Sequence, residues 1–227
     1  MILAAGRGER MRPLTDHTPK PLLTIVGKPL IVWIIERLVR GGLTELVINH
    51  AHLGAQIEAA LGDGRAWGAN IQYSPEGVAL ETAGGIAQAL PLLGAAPFIA
   101  VNGDVWCDFD FAPLVAFAQH RLAPATLAHL VLIDNPEHNL SGDFTLSSTG
   151  AIGNEPATRL TFAGIGVYRP ALFAGVSRGA KAALAPLLRA AATRHEASGE
   201  RFAGDWVDVG TPARLAALDH RVRLTRA

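Results

Sequence analysis

The chain has 227 residues, 49% of them hydrophobic and 18% charged, with acidic and basic residues balanced at zero net charge. This is the composition of a globular protein with a sizeable core, and it excludes both a disordered chain and a polybasic nucleic-acid binder. The single cysteine, Cys107, excludes an internal disulfide and a cysteine metal cluster, and no apolar run is long enough to span a bilayer. The apolar start, Met1-Ile2-Leu3-Ala4-Ala5, has no basic stretch before it and runs straight into Gly6-Arg7-Gly8. It therefore reads as a buried strand rather than a secretory leader, and a cytoplasmic protein is expected.

In chain order, residues 2–5 form that strand, and Pro13, Pro19, Pro21 and Pro29 make 13–29 mostly loop. Residues 30–39 are apolar nearly all round, a buried helix stopped by Gly41-Gly42. A strand over 45–49, a helix over 53–61, a strand over 71–74, a helix over 85–93 and a strand over 98–102 follow. Strand–helix alternation of this kind predicts a parallel sheet with helices on both faces. A helix over 112–120 and a buried strand over 127–133 continue it. Beyond Asp134-Asn135-Pro136 the texture changes. Residues 144–146, 151–152 and 160–168 read as short strands of an antiparallel insertion, and helices over 184–192 and 212–223 close the chain. The expectation is one α/β domain over 1–227 with no linker.

The glycine-rich loop directly after the first strand, Gly6-Arg7-Gly8-Glu9-Arg10, lets backbone N–H groups approach a phosphate chain. It lacks the Gly-Lys-Ser/Thr ending of a Walker A loop. Met11 stands where a dinucleotide fingerprint needs a third small residue. Its arginines suit a triphosphate, although an ordinary turn with exposed arginines has the same wording. Lys20 lies between Pro19 and Pro21, on a backbone whose φ angles are fixed, and so presents one ammonium rigidly. Asp104 follows a buried strand, where parallel α/β sheets bind ligands, and is a natural Mg²⁺ ligand or a helix cap. Asp208, before the last helix, reads the same two ways, and Asp108, Asp110 and Asp205 are weaker rivals. His50 and His52 have no third ligand at suitable spacing and read as loop residues. Trp33 and Trp67 read as core, whereas Trp106 and Trp206 flank the two aspartates.

Together, Gly6-Arg7-Gly8-Glu9-Arg10, Pro19-Lys20-Pro21-Leu22, Gly103-Asp104 and Asp208-Val209-Gly210-Thr211 resemble the signature of the sugar-nucleotide pyrophosphorylases, in family order over nearly the whole chain. The resemblance implies a Rossmann-like three-layer sandwich with a mostly parallel central sheet and a small antiparallel sugar-binding insertion. It implies a nucleotide-binding half over 1–104 and a sugar-phosphate-binding half over 105–227. It also implies transfer of a nucleotidyl group from a nucleoside triphosphate to a sugar 1-phosphate, with Mg²⁺. Arg10, Lys20 and Asp104 would be catalytic. Ala5, Gly6, Gly8, Glu9, Arg10 and Lys20 would hold the nucleotide, with Gly84 and Gly85, on a loop opening a helix, admitting the base. Asn102 and Asp143 would bind the sugar phosphate, and Asp104 and Asp208 the metal.

Ser74-Pro75-Glu76-Gly77, Leu80-Glu81-Thr82-Ala83-Gly84-Gly85, Val101-Asn102-Gly103-Asp104-Val105-Trp106, Asp134-Asn135-Pro136 and Gly142-Asp143-Phe144 are similar to the family's short uridylyltransferases of cell-wall recycling. That implies UTP and N-acetylmuramic acid 1-phosphate. Ala83 departs from the glycine expected there and matches the Thr-Ala-Gly of guanylyltransferases. Guanylyl transfer to mannose or heptose 1-phosphate is the alternative, with a noncatalytic nucleotide-sugar-binding subunit as a third reading. The partners expected are the two substrates, with no nucleic acid and no membrane, in a monomer or small homo-oligomer.

Overall fold

The structure is a computed structural model that describes residues 1–156 and 158–225. Its strands are β1 (Ile2–Leu3), β2 (Thr24–Ile25), β3 (Lys28–Pro29), β4 (Glu45–His50), β5 (Asn70–Pro75), β6 (Phe98–Asn102), β7 (Val105–Cys107), β8 (Ala128–Ile133), β9 (Thr145–Leu146), β10 (Ile152–Gly153), β11 (Thr161–Tyr168), β12 (Ala197–Arg201) and β13 (Trp206–Asp208). Its helices are α1 (Leu30–Arg40), α2 (Gly54–Leu61), α3 (Glu81–Leu93), α4 (Phe111–His120), α5 (Leu184–Thr193) and α6 (Pro212–Leu224). Seven strands form one sheet in the order β12-β8-β11-β6-β1-β4-β5. Only β11 runs against its neighbours, pairing antiparallel with both β6 and β8.

Both faces of this sheet are covered, which is why its strands are apolar at consecutive positions rather than alternately. Leu46, Ile48, Ile99, Val101, Val131 and Ile133 turn to one face and pack with Ile31 and Ile35 of α1, Ile57 of α2 and Leu114 of α4. The residues between them, Val47, Phe98, Ala100, Leu130 and Leu132, meet Ile86 of α3 and Leu184 and Leu188 of α5 on the other face. A third cluster joins Met11, Ile25, Leu30, Trp33, Trp106, Val209, Leu218 and Val222. It anchors the glycine-rich loop, through the fully buried Met11, to α6 and to the end of β13.

The sheet corrects two sequence expectations. Residues 161–168 are not part of an antiparallel insertion, which is limited to the β9–β10 pair. Every residue of β11 except Phe162 is buried, so both its faces need cover and the strand takes an interior place in the main sheet. The polar strand β12 and the three-residue β7 were not expected at all.

His129 on β8 is buried with Nδ1 2.8 Å from Ser198 Oγ, and its ring lies 4.1 Å from that of Phe117. Desolvation pulls its pKa from 6.5 down to about 4. The unfolded chain then binds a proton near pH 6.5 that the folded chain refuses until about pH 4. This group's contribution to stability is therefore complete above pH 6.5 and falls as pH drops through that window, by up to about 3 kcal/mol. The urea midpoint of the wild type should fall more steeply from pH 6.5 to pH 4 than that of His129→Gln; parallel curves contradict this.

Candidate active site

The chain leaves β1 toward α1, β4 and β5 on one side, and the strand on the other side of β1 is β6. Connections therefore diverge above the carboxyl ends of β1 and β6, the position where open α/β sheets bind ligands. A cavity lies there, lined by Leu3 to Gly6, Lys20, Asn49, Glu81, Thr82 and Asn102 to Asp104. Next to it, past Asn102, a second hollow is lined by Arg10, Asp104, His138, Asn139, Asp143, Trp206 and Asp208.

The loop is built by Thr15 and Asp16, a few residues downstream. Thr15 is fully buried; its hydroxyl donates to Gly8 O (2.9 Å), and its carbonyl accepts from Arg7 Nη1 (2.7 Å). Asp16 accepts from Arg7 Nη2 at 3.0 Å and pairs with Arg12 Nε at 2.8 Å. Arg7, foremost, holds the Asp16 carboxyl below the usual carboxylate range. Gly8 sits at φ 68°, and a methyl there would come within 3.0 Å of Thr15 Cγ2 and 3.3 Å of Lys20 Cβ. Both the positive φ and the close approach require glycine. Of the loop's arginines, Arg7 is thus committed to the fold. Arg10, on a short 3₁₀ turn over Glu9–Met11, is exposed and has no acidic partner among the described residues. Residues 5–8 donate no backbone hydrogen bond within the described chain, so their amides are available to a phosphate.

Lys20 opens another 3₁₀ turn, closed by Leu23 N–H donating to Lys20 O at 3.1 Å. Its side chain is nearly buried, and its ammonium pairs with the Asp104 carboxylate. Asp208 reaches the same hollow because β13 pairs with β7, setting Asp208 opposite Val105, with Val209 N–H donating to Asp104 O at 3.0 Å. Arg214 Nη1 lies 2.9 Å from Asp208 Oδ2, and His138 Nε2 lies 3.5 Å from it. Asp208 does not cap α6: Thr211 does, accepting from Arg214 N–H. Asp104 is no cap either, since β7 follows it.

Asp104 and Asp208 keep 35% and 21% of their side chains exposed, both toward one hollow. Among the described residues no three His, Cys, Asp or Glu side chains cluster as a protein cage. Two carboxylates with open positions are the donor set Mg²⁺ uses when water and phosphate oxygens complete its shell. The residues present fit that ion.

Asn102 ends β6 between the cavities, and Asp143 Oδ2 is held by Phe162 N–H (2.8 Å) and Asn139 Nδ2 (3.2 Å). Asp143 is thus a fixed acceptor at the wall rather than an exposed turn. Gly84 and Gly85 are corrected. They lie inside α3, buried, and neither lines the cavity. A methyl on Gly84 would meet Ala180 O at 2.3 Å, and one on Gly85 would meet Glu76 Oε1 at 2.4 Å, so their backbones pack against protein. Glu81 and Thr82, a turn earlier, face the cavity instead, and Glu81 does so at φ 61°. His50 ends β4 rather than lying in a loop and bonds Glu58 (2.7 Å), and His52 bonds the Thr15 carbonyl (3.0 Å). Trp106 is buried with Trp33, while Trp206 donates from Nε1 to Ala163 O at 2.9 Å beside the hollow. Cys107 is buried and its thiol is pushed up to about 11, chiefly by desolvation, so it is not a nucleophile at neutral pH.

The sequence reading missed Glu81, Thr82, Asn139, His138 and Arg214. Asn139, His138 and Arg214 belong to no motif, whereas Glu81 and Thr82 stand in the Leu80–Gly85 wording, in which the resemblance gives a role to the glycines alone. No helix among the described residues is long and apolar enough to cross a membrane.

Comparison with known proteins agrees with this geometry. The family model described as nucleotidyl transferase matches residues 1–152. The chain is 57% identical to an N-acetylmuramate alpha-1-phosphate uridylyltransferase of Neisseria meningitidis over 219 residues, covering 95% of this chain and 94% of that one. It is 34% identical to the protein of the same name in Caulobacter vibrioides, over 96% of this chain and 94% of the other. In fold it is similar to a crystal structure from Bacillus anthracis, provisionally assigned as a glucose-1-phosphate thymidylyltransferase, with a TM-score of 0.83 at 21% identity over 98% of this chain and 94% of that one. The chain therefore belongs to the nucleotidyl transferase family, and it is a sugar-1-phosphate nucleotidyltransferase.

Proposed function

We propose that the enzyme transfers uridylyl from UTP to N-acetylmuramic acid 1-phosphate, with Mg²⁺, releasing pyrophosphate, and that it serves the reuse of cell-wall sugar in the cytoplasm. The observation that carries the reaction type is the meeting of Arg10, Asp104 and Asp208 at one hollow, beside the Lys20–Asp104 pair. The choice of base and sugar is supported by the two uridylyltransferase relatives that match nearly the whole chain.

In this reading a sugar-phosphate oxygen attacks the α-phosphorus of UTP. A new P–O bond forms as the bond from the α-phosphorus to the bridging oxygen breaks, and pyrophosphate leaves with that electron pair. A phosphate monoester has its second pKa at about 6 and is already anionic at neutral pH, so no general base is needed. The amides of residues 5–8 and Arg10 bind the triphosphate, Lys20 neutralises phosphate charge, and Asn102 and Asp143 orient the sugar. Asp104 and Asp208 hold Mg²⁺, which when bound supplies charge stabilisation for the phosphates. The protein's own contribution is positioning and preorganised charge.

Pyrophosphate release across four nucleoside triphosphates and several sugar 1-phosphates tests this. UTP with N-acetylmuramic acid 1-phosphate should exceed GTP with mannose 1-phosphate by at least about tenfold in kcat/KM, and chelation of Mg²⁺ should stop it. Preference for GTP, or metal-independent turnover, overturns the respective assignment.

A further inference from the structure

Beyond Asn102 a third hollow opens, walled by Phe144, Leu184 and Leu188, with two acids, Asp143 and the Lys181-paired Glu81, and one cation, Arg189, among its polar lining. The steps above leave Arg189 without a task. On α5, Leu184 and Leu188 turn to the core, and Ala185 and Arg189, the next pair at four-residue spacing, border the hollow. The Arg189 guanidinium carbon stands 5.4 Å from the Phe144 ring centroid. Its one side-chain hydrogen bond is a long contact to the Asp143 backbone oxygen, 3.5 Å from Nη1. It pairs with no carboxylate among the described residues. Other arginines nearby are engaged. Arg159 donates to Glu155 O and Asn154 O at 2.9 and 2.5 Å, and Arg214 pairs with Asp208. A guanidinium laid on an aromatic ring, unpaired, beside an apolar pocket has the form of a carboxylate receptor.

We propose that Arg189 binds the carboxylate of an acidic sugar 1-phosphate and so selects it over the neutral sugar with the same ring. The proposal rests on the reading of N-acetylmuramic acid 1-phosphate as substrate, which is N-acetylglucosamine 1-phosphate carrying a lactyl ether. Phe144, Leu184 and Leu188 offer apolar surface to the methyl groups of the lactyl and acetyl substituents. Asp143 fixes the orientation. Its Oδ2 is already engaged by Phe162 N–H and Asn139, so the rigid carboxylate accepts from a sugar hydroxyl and repels a second acid. The hydroxyl edge of the sugar then faces Asp143, and the acidic edge faces Arg189.

Arg189 is exposed, so Arg189→Gln and Arg189→Lys should fold. The test measures KM for N-acetylmuramic acid 1-phosphate, and the inhibition constant of N-acetylglucosamine 1-phosphate as a competitor, at saturating UTP. The ratio of the two constants should move against the acid by roughly 10- to 100-fold in Arg189→Gln and by less in Arg189→Lys. The effect should fall on KM more than on kcat. A ratio held at the wild-type value, or equal weakening of both sugars, overturns the proposal while leaving the substrate reading intact. A wild-type enzyme that turns over other sugar 1-phosphates but not the acidic one overturns the substrate reading, and this proposal with it.

Discussion

Arg10→Ala is expected to lower kcat/KM by roughly 10²- to 10³-fold, the usual cost of removing one preorganised contact to developing charge. Stability should change by no more than about 0.5 kcal/mol, because the side chain is exposed and has no ion pair or hydrogen bond among the described residues. The asymmetry follows from how the loop is built. Arg7 and Arg12 are tied to Asp16, and Arg7 also to Thr15, so they hold the loop's shape, and only Arg10 is left for substrate. Arg7→Ala is the contrasting variant. It should lose thermal stability and activity together, since Asp16 and the Thr15 carbonyl each lose one of two donors and keep only Arg12 and His52, respectively. Steady-state kinetics beside thermal melts separate the two. Wild-type turnover in Arg10→Ala removes this residue from the chemistry.

Asp104→Asn is the second large effect and should register in both activity and stability. Turnover should drop by roughly 10²- to 10³-fold at ordinary Mg²⁺. The neutral amide also leaves the nearly buried Lys20 ammonium without its counter-charge. Breaking a fully buried pair costs about 3–5 kcal/mol. Asp104 keeps a third of its side chain in solvent, so the expected cost here is roughly 1–3 kcal/mol. Replacing Lys20 as well, in Asp104→Asn with Lys20→Met, should return part of that stability without restoring activity, and a double-mutant cycle on urea midpoints reads it. The Mg²⁺ concentration for half-maximal rate should rise in Asp104→Asn and Asp208→Asn but not in Arg10→Ala. An unaltered Mg²⁺ requirement in both aspartate variants removes them as ligands.

The parts of this site visible in the sequence are those fixed by local wording. The strand before Gly6, the proline-flanked Lys20 and the aspartate after β6 each depend on a few adjacent residues. So do the apolar runs of β4, β6 and β8, which read as strands because both sheet faces bury them. What sequence spacing does not carry is pairing across the fold. Asp208 meets Asp104 only because Trp206-Val207-Asp208 pairs with a three-residue strand, β7, too short for any periodic pattern to show. The polar strand β12, Ala-Ser-Gly-Glu-Arg, has its place through pairing with β8 and lacks an apolar face. Gly84 and Gly85 read as loop because each glycine costs a helix about 1 kcal/mol. The Ala180 carbonyl, which leaves no room for a side chain at Gly84, is distant in sequence, and the Glu76 carboxylate, which does the same at Gly85, is turned onto α3 only once the β5–α3 loop folds. Arg7 looked like a second phosphate ligand, and its commitment to Thr15 and Asp16 exists only once the loop closes. Arg189 lies in an alanine-rich helix with no motif around it, and it gains meaning only from Phe144 and Asp143, brought beside it by β9 and the start of β11.

The proposed reaction requires the triphosphate and its metal to bind where the hollow bounded by Arg10, Asp104 and Asp208 adjoins the cavity lined by Lys20 and the glycine-rich loop. Anomalous diffraction from crystals soaked with Mn²⁺ and a non-hydrolysable UTP analogue tests it most directly. The account predicts a manganese peak in contact with carboxylate oxygens of Asp104 and Asp208, and phosphates against the amides of residues 5–8 and the Arg10 guanidinium. A metal peak away from both aspartates, or a triphosphate bound anywhere but at that loop, contradicts it.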